Sequence, residues 1–109
     1  MTDKIVILST CATEEEAHKV GRALVEERLA ACVNVIPNIR SFYRWKGEVE
    51  SASEWLLVIK SSRPLLGALT ARIEALHSYE IPEAIALAII EGSGNYMNWL
   101  QTNLKGGSL

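Results

Sequence analysis

An α+β fold built on a four-stranded antiparallel sheet is predicted by three features of the chain. Apolar runs of strand character recur four times, at 4–10, 31–45, 54–62 and 83–90. Segments with helical apolar spacing, 13–30 and 64–78, fall after the first run and after the third. The second and third runs are joined through a Lys46-Gly47 turn, as in a long β2-β3 hairpin. The order is βαββαβ with a C-terminal helix, the split-βαβ, ferredoxin-like pattern. Right-handed crossovers put the first two helices on one face of the sheet.

Each element has a local reason. "KIVILST" (4–10) is a continuous apolar run rich in β-branched residues, so it reads as a buried strand. "TEEEAHKVGRALVEERLA" (13–30) offers Thr13 as N-cap and Glu16 three residues on as its capping-box partner. Ala17, Val20, Gly21 and Leu24 then share one helical face. "ACVNVIPNIRSFYRW" (31–45) alternates like a strand, but Pro37 cannot donate to a ladder, so this strand lies at an edge or is bulged there. "EWLLVIKSS" (54–62) returns. Pro64 suits the first position of a second helix, 64–78, with Leu65, Leu69, Ile73 and Leu76 on one face. Pro82 blocks its continuation and leads into "EAIALAII" (83–90), the fourth strand. Ser93 or Asn95 can cap a short last helix, "NYMNWLQTNL" (95–104).

Composition narrows the function classes. At 109 residues the chain fits one domain, 1–109, and 49% hydrophobic with 22% charged residues is ordinary for a globular protein. A net charge of -2 gives no basic surface for nucleic acid or anionic lipid. Two cysteines, Cys11 and Cys32, form no disulfide framework and no Cys-x-x-Cys pair, which suits reduced thiols in a cytoplasm. "MTDKIVILSTCATEEE" lacks the apolar length of a secretory leader, and its acidic triplet excludes a transit peptide. "AIALAII" (84–90) is about a third of the roughly twenty residues a membrane-spanning helix needs.

The strands also predict assembly. An antiparallel sheet covered on one face alternates apolar and polar residues, because its other face meets water. "IVIL", "WLLVI" and "AIALAII" do not alternate, so both faces are apolar, and only one short extra helix is left to cover the second. The expectation is a homo-oligomer whose sheet faces pack together, against the alternative that the last helix covers the face within one chain.

Candidate site residues cluster in "HSYEIPEAIAL" (77–87). One reading is punctuation: Pro82 ends the helix, the macrodipole favours His77 near its C-terminus, and Glu80 and Glu83 are solvated. The other brings His77 and a carboxylate such as Glu80, or a thiol, onto a divalent cation. Cys11 stands before a helix N-terminus, whose field would lower a thiol pKa and favour a soft metal or oxidation; the plainer reading is a small loop residue. His18, behind Glu14, Glu15 and Glu16, reads as solvated. Ser41, Tyr43 and Trp45 share one side of the hairpin and Phe42 and Arg44 the other, as cross-strand packing or as contacts to a neighbouring subunit. "EGSGNY" (91–96) lacks the third glycine of a dinucleotide fingerprint. There is no Gly-x-Ser-x-Gly, and with two histidines an enzyme is not expected.

"ACVNVIP", "SFYRWKGEVE", "EWLLVIKS", "HSYEIPE" and "YMNWL", in this order and at these separations, resemble the divalent-cation tolerance family CutA across nearly the whole chain. The resemblance implies a cytoplasmic, ferredoxin-like homotrimer, similar in architecture to PII signalling proteins, without an established catalytic activity and tied to tolerance of Cu2+ or other divalent cations. Members described as binding copper carry a cysteine where this chain has Ser9 and a histidine pair where it has Leu76 and His77. The implied intersubunit pocket takes Cys32, Asn34, Ser41, Tyr43, Trp45, Lys60, His77, Tyr79, Glu80, Glu83, Tyr96 and Trp99. Metal binding near His77 is the leading expectation. The alternative is a PII-like sensor holding a small anion or metabolite in that pocket, with Lys60 as its cation.

Overall fold

The computed structural model describes residues 2–107. Its elements are β1 (Lys4–Cys11), α1 (Glu14–Glu26), β2 (Cys32–Trp45), β3 (Glu48–Ser62), a 3-10 turn (Arg63–Leu65), α2 (Leu66–Leu76), β4 (Ile85–Ala88) and α3 (Gly94–Thr102). The sheet order is β2-β3-β1-β4, with every neighbouring pair antiparallel. This is the ferredoxin-like arrangement that the sequence predicts.

Thr13 caps α1 as expected, its hydroxyl accepting from Glu16 N–H at 3.1 Å. Ala17, Val20, Gly21 and Leu24 are the buried residues of the helix. Gly21 permits the close approach: a Cβ there would stand 3.2 Å from Val33 Cγ1. From α2, Leu69 and Ile73 join Ile5 and Ile7 of β1 and Leu57 and Ile59 of β3 in the core between the two helices and the sheet. Each fully buried Leu or Ile there contributes about 1.5–3 kcal/mol over an exposed one.

Pro37 has both predicted consequences, since β2 is an edge strand and its register slips between Ile36 and Ile39. Asn38 takes φ 59 within that bulge. At the hairpin tip Lys46 (φ 51) and Gly47 (φ 83) both adopt the left-handed conformation that a two-residue turn between twisted strands requires.

Several boundaries differ from the sequence reading. Pro64 lies in the 3-10 turn rather than in α2, and α2 stops at Leu76, with His77 already extended at ψ 147. In the predicted 83–90 segment the strand is confined to Ile85–Ala88, with one further backbone bond from Ile89 N–H to Lys4 O at 3.1 Å. Ser93 occupies the N-cap position of α3 without a side-chain bond, and Asn95 lies inside the helix.

The second face of the sheet stays largely uncovered. Register places Val6, Leu8, Leu56, Val58, Ile85 and Leu87 on the side opposite the core. Leu100 and Leu104 pack instead against Ala31 and Leu65, so α3 sits at one end. Ile36, Ile85 and Leu87 remain 43%, 53% and 53% exposed. Within one chain, α3 does not cover the face.

Candidate functional site

The end of β1, the first turn of α1 and the segment after α2 meet at one point. Because the backbone turns extended at His77, its imidazole folds back against the end of β1 instead of lying along the C-terminus of α2, and its side chain is fully buried. Nε2 stands 2.7 Å from Thr10 O. A carbonyl oxygen only accepts, so Nε2 carries the proton. Nδ1 then accepts from Tyr79 N–H at 3.1 Å. Cys11 Sγ lies 3.7 Å from Nε2.

Glu16 closes the group. Its Oε2 accepts from Ser78 N–H at 3.1 Å. Oε1 lies 3.4 Å from His77 Nδ1, is buried, and meets no donor among the described residues. Ligand atoms of Cys11, Glu16 and His77 all fall within 4.8 Å of one another. Thiolate, carboxylate and imidazole are ligands for borderline divalent ions such as Zn2+ and Cu2+.

Cys11 corrects the sequence reading of a thiol activated by the helix field. It is the last residue of β1 and 0% exposed. Burial pushes its pKa up from 9.0 to about 12, and the charges of Glu16 and Glu54 add to the rise. Desolvation and two nearby carboxylates outweigh the dipole, so the metal-free thiol is protonated.

On the other side of the sheet a cleft of about 530 Å³ opens between the hairpin and the 79–83 segment. Ser41, Tyr43, Trp45, Tyr79, Glu80 and Glu83 line it, together with Thr10, Phe42, Glu54 and Ile81. The Tyr79 ring leans on His77, with centroids 4.6 Å apart. Its hydroxyl donates to Glu54 Oε2 at 2.5 Å. Burial and the bond to Glu54 push the Tyr79 pKa upward. Burial, and the charge of Glu54 after it, likewise raise the Glu83 carboxyl.

A family model described as CutA1 divalent ion tolerance protein matches residues 5–103. The chain belongs to the CutA1 family. A Divalent-cation tolerance protein CutA from Thermus thermophilus is 48% identical over 98 residues, covering 90% of this chain and 95% of that protein. Protein CutA, chloroplastic, from Arabidopsis thaliana is 45% identical over 101 residues, and there the match covers 93% of this chain but 56% of the relative. The crystal structure of CutA from Xylella fastidiosa superposes with a TM-score of 0.93 at 40% identity, covering 95% of this chain and 100% of that one. The family is named for tolerance of divalent ions, not for a catalysed reaction. No helix among the described residues is long and apolar enough to cross a membrane.

Against this CutA1 frame the expected residues separate. Cys11 and His77 come together, whereas Glu80 lies on the cleft and Glu16 completes the buried trio. The expected pocket divides within one chain into two groups. Ser41, Tyr43, Trp45, Tyr79, Glu80 and Glu83 share the cleft. Cys32, Asn34, Lys60, Tyr96 and Trp99 gather toward the other end of the open face. There Lys60 Nζ donates to Asn34 Oδ1, Cys32 Sγ stands 3.9 Å from the same oxygen, and Tyr96 stacks on Trp99 at 5.5 Å. His77 belongs to neither group, being buried behind Tyr79. Sequence reasoning missed Glu16, Glu54 and Thr10 as site residues. For Glu54 a signal existed: a lone carboxylate at the head of "EWLLVIK", two residues from Leu56 and therefore on the same face.

Proposed function

We propose that this CutA1 protein works without catalysis, as a homotrimer that takes up a divalent metal ion at Cys11, Glu16 and His77. The observation that carries the reading is the buried Glu16 Oε1, a carboxylate oxygen with no donor, 3.4 Å from His77 Nδ1 and within ligand distance of Cys11. A buried carboxylate oxygen without a partner is costly, and a cation beside it removes that cost. Both imidazole nitrogens are engaged, by Thr10 O and by Tyr79 N–H, so a metal on His77 replaces one of those bonds. Metal uptake therefore reaches the 77–79 turn and, through Tyr79, Glu54 in the cleft. Cu2+ and Zn2+ suit a set of one thiolate, one imidazole and one carboxylate.

The trimer reading is supported by the uncovered apolar face, with the two groups of pocket residues toward its opposite ends. A neighbouring copy on that face would border both. Free thiols at Cys11 and Cys32 suit a reducing compartment such as the cytoplasm. The anion-sensor alternative finds less support, because Lys60 is engaged with Asn34 and does not line the cleft.

The test is Zn2+ and Cu2+ titration of the assembled protein against a chromophoric chelator, with Cys11→Ser, Glu16→Gln, His77→Gln and Glu80→Gln. Each of the first three should weaken binding by about tenfold or more, the equivalent of one lost ligand at about 1.4 kcal/mol, while Glu80→Gln stays near wild type. Wild-type affinity in all three trio variants would overturn the assignment.

A further inference from the structure

Trp55 stands next to the buried trio without belonging to it. The β1–β3 ladder sets it directly opposite Cys11. Side chains alternate along a strand, so Trp55 shares the helix-covered side of the sheet with Leu57 and Ile59 and packs, like Cys11, in the core there. Directly opposed residues of an antiparallel pair have Cβ atoms about 4.5–5.5 Å apart, which puts the Cys11 sulfur within reach of the indole. This is the side away from the open apolar face, and its surroundings come from the chain itself.

The indole Nε1 is buried and meets no acceptor among the described residues. An indole nitrogen donates and never accepts, so only an acceptor can satisfy it, and a buried donor left without one is costly. The sulfur across the ladder is the group that metal uptake alters. A thiol sulfur is a weak acceptor. A metal-bound sulfur is a thiolate, because the ligand loses its proton on binding, and a charged acceptor holds a donor about twice as strongly as a neutral one. Trp55 therefore lacks a partner in the metal-free protein and gains one when Cys11 becomes a ligand. Ser9 Oγ is also buried without a partner on the same side of β1, but Ser9 faces Leu57 in the ladder, one side-chain repeat away from Cys11.

We propose that Trp55 is a positioning residue of the metal site, its indole N–H donating to the Cys11 thiolate when a divalent ion is bound. This role rests on the metal reading of Cys11, Glu16 and His77 and deepens it. Trp55 offers the ion no lone pair. It orients the sulfur and takes up part of its charge, and outer-shell partners of this kind are worth about 10–100-fold in metal affinity.

The experiment uses the full chain in its native assembly. Chelator competition first measures Zn2+ binding, and proton–nitrogen NMR spectra then follow the indole N–H resonances of the three tryptophans during titration with ZnCl2, that of Trp55 being identified by its loss in Trp55→Phe. The Trp55 resonance should move downfield and saturate with Zn2+. Co2+ in place of Zn2+ adds a sulfur-to-metal charge-transfer band. Trp55→Phe, which keeps an aromatic ring but no N–H, should move that band to longer wavelength and weaken Co2+ and Zn2+ binding about tenfold or more. Ser9→Ala, which also removes a buried unpartnered polar group, should leave the band at its wild-type position. A Trp55 resonance that stays in place while Zn2+ binds, a band unmoved in Trp55→Phe, or one moved as far in Ser9→Ala would overturn the role of Trp55 and leave the trio standing. Absence of Zn2+ binding in the chelator step would overturn both.

Discussion

Placing a carboxylate on the uncovered face, through Leu87→Asp, separates assembly from folding. Leu87 lies on β4 opposite Val6 and is 53% exposed in the single chain, so about half of its surface remains to be covered by a neighbour. Full burial of such a side chain contributes about 1.5–3 kcal/mol, so covering that remainder contributes about 1 kcal/mol. Ile85 and Ile36, at 53% and 43%, contribute similarly, giving about 3 kcal/mol per chain from three residues. Aspartate loses the Leu87 share and leaves an unpaired charge in an apolar contact, which costs several kcal/mol more. A total above about 4 kcal/mol weakens association on the order of a thousandfold. Sedimentation at micromolar concentration should give wild type a mass three times the 12.0 kDa chain and Leu87→Asp the mass of one, with its sheet intact by circular dichroism. Val25→Asp, on the outer side of α1 and 39% exposed, should stay assembled. A single-chain wild type, or a Leu87→Asp trimer of undiminished affinity, would refute the reasoning.

The pH dependence of stability follows from Cys11, held at about 12 against 9.0 for an ordinary thiol. Between those values the unfolded chain has lost a proton that the folded chain keeps, so stability falls as pH rises, by up to about 1.4 kcal/mol per pH unit. Tyr79, raised as well, deepens the loss at higher pH. Urea midpoints at pH 7, 9.5 and 11 should drop more steeply for wild type than for Cys11→Ala; parallel declines would contradict this. At the hairpin tip, Lys46→Asn places a residue tolerant of positive φ at φ 51 and should stabilise by about 0.5 kcal/mol, read as a higher thermal midpoint.

Much of the fold is legible in the chain because local rules and tertiary packing agree there. Thr13, the face of α1, the edge position and bulge at Pro37, and the Lys46-Gly47 turn each follow from a steric or hydrogen-bonding constraint that acts within a few residues. The missing alternation of the strands holds a tertiary consequence, the two-faced sheet, since side-chain direction has a period of two. Boundaries shift where that agreement fails. The 84–90 run is apolar throughout, but the regular strand pairing with β1 covers only Ile85–Ala88.

The site is less legible, and Glu16 explains why. Its spacing from Thr13 is that of a capping box, and half of the box forms, Thr13 accepting from Glu16 N–H. The carboxylate that should return to the Thr13 amide instead reaches 62 residues along the chain to Ser78 N–H and faces His77. A local rule accounts for the residue type, and a tertiary contact decides its use. Cys11 follows the same logic with the opposite sign. Sequence places it before a helix N-terminus, where a thiolate is favoured, but burial, Glu16 of that same helix and Glu54 from β3 hold the proton on. Where burial and a carboxylate from another strand act on a side chain, the helix that follows it in sequence does not alone set its protonation. The same convergence that hides the site from the sequence leaves Glu16 Oε1 buried without a donor among the described residues, and that unmet oxygen is what the proposed metal site rests on.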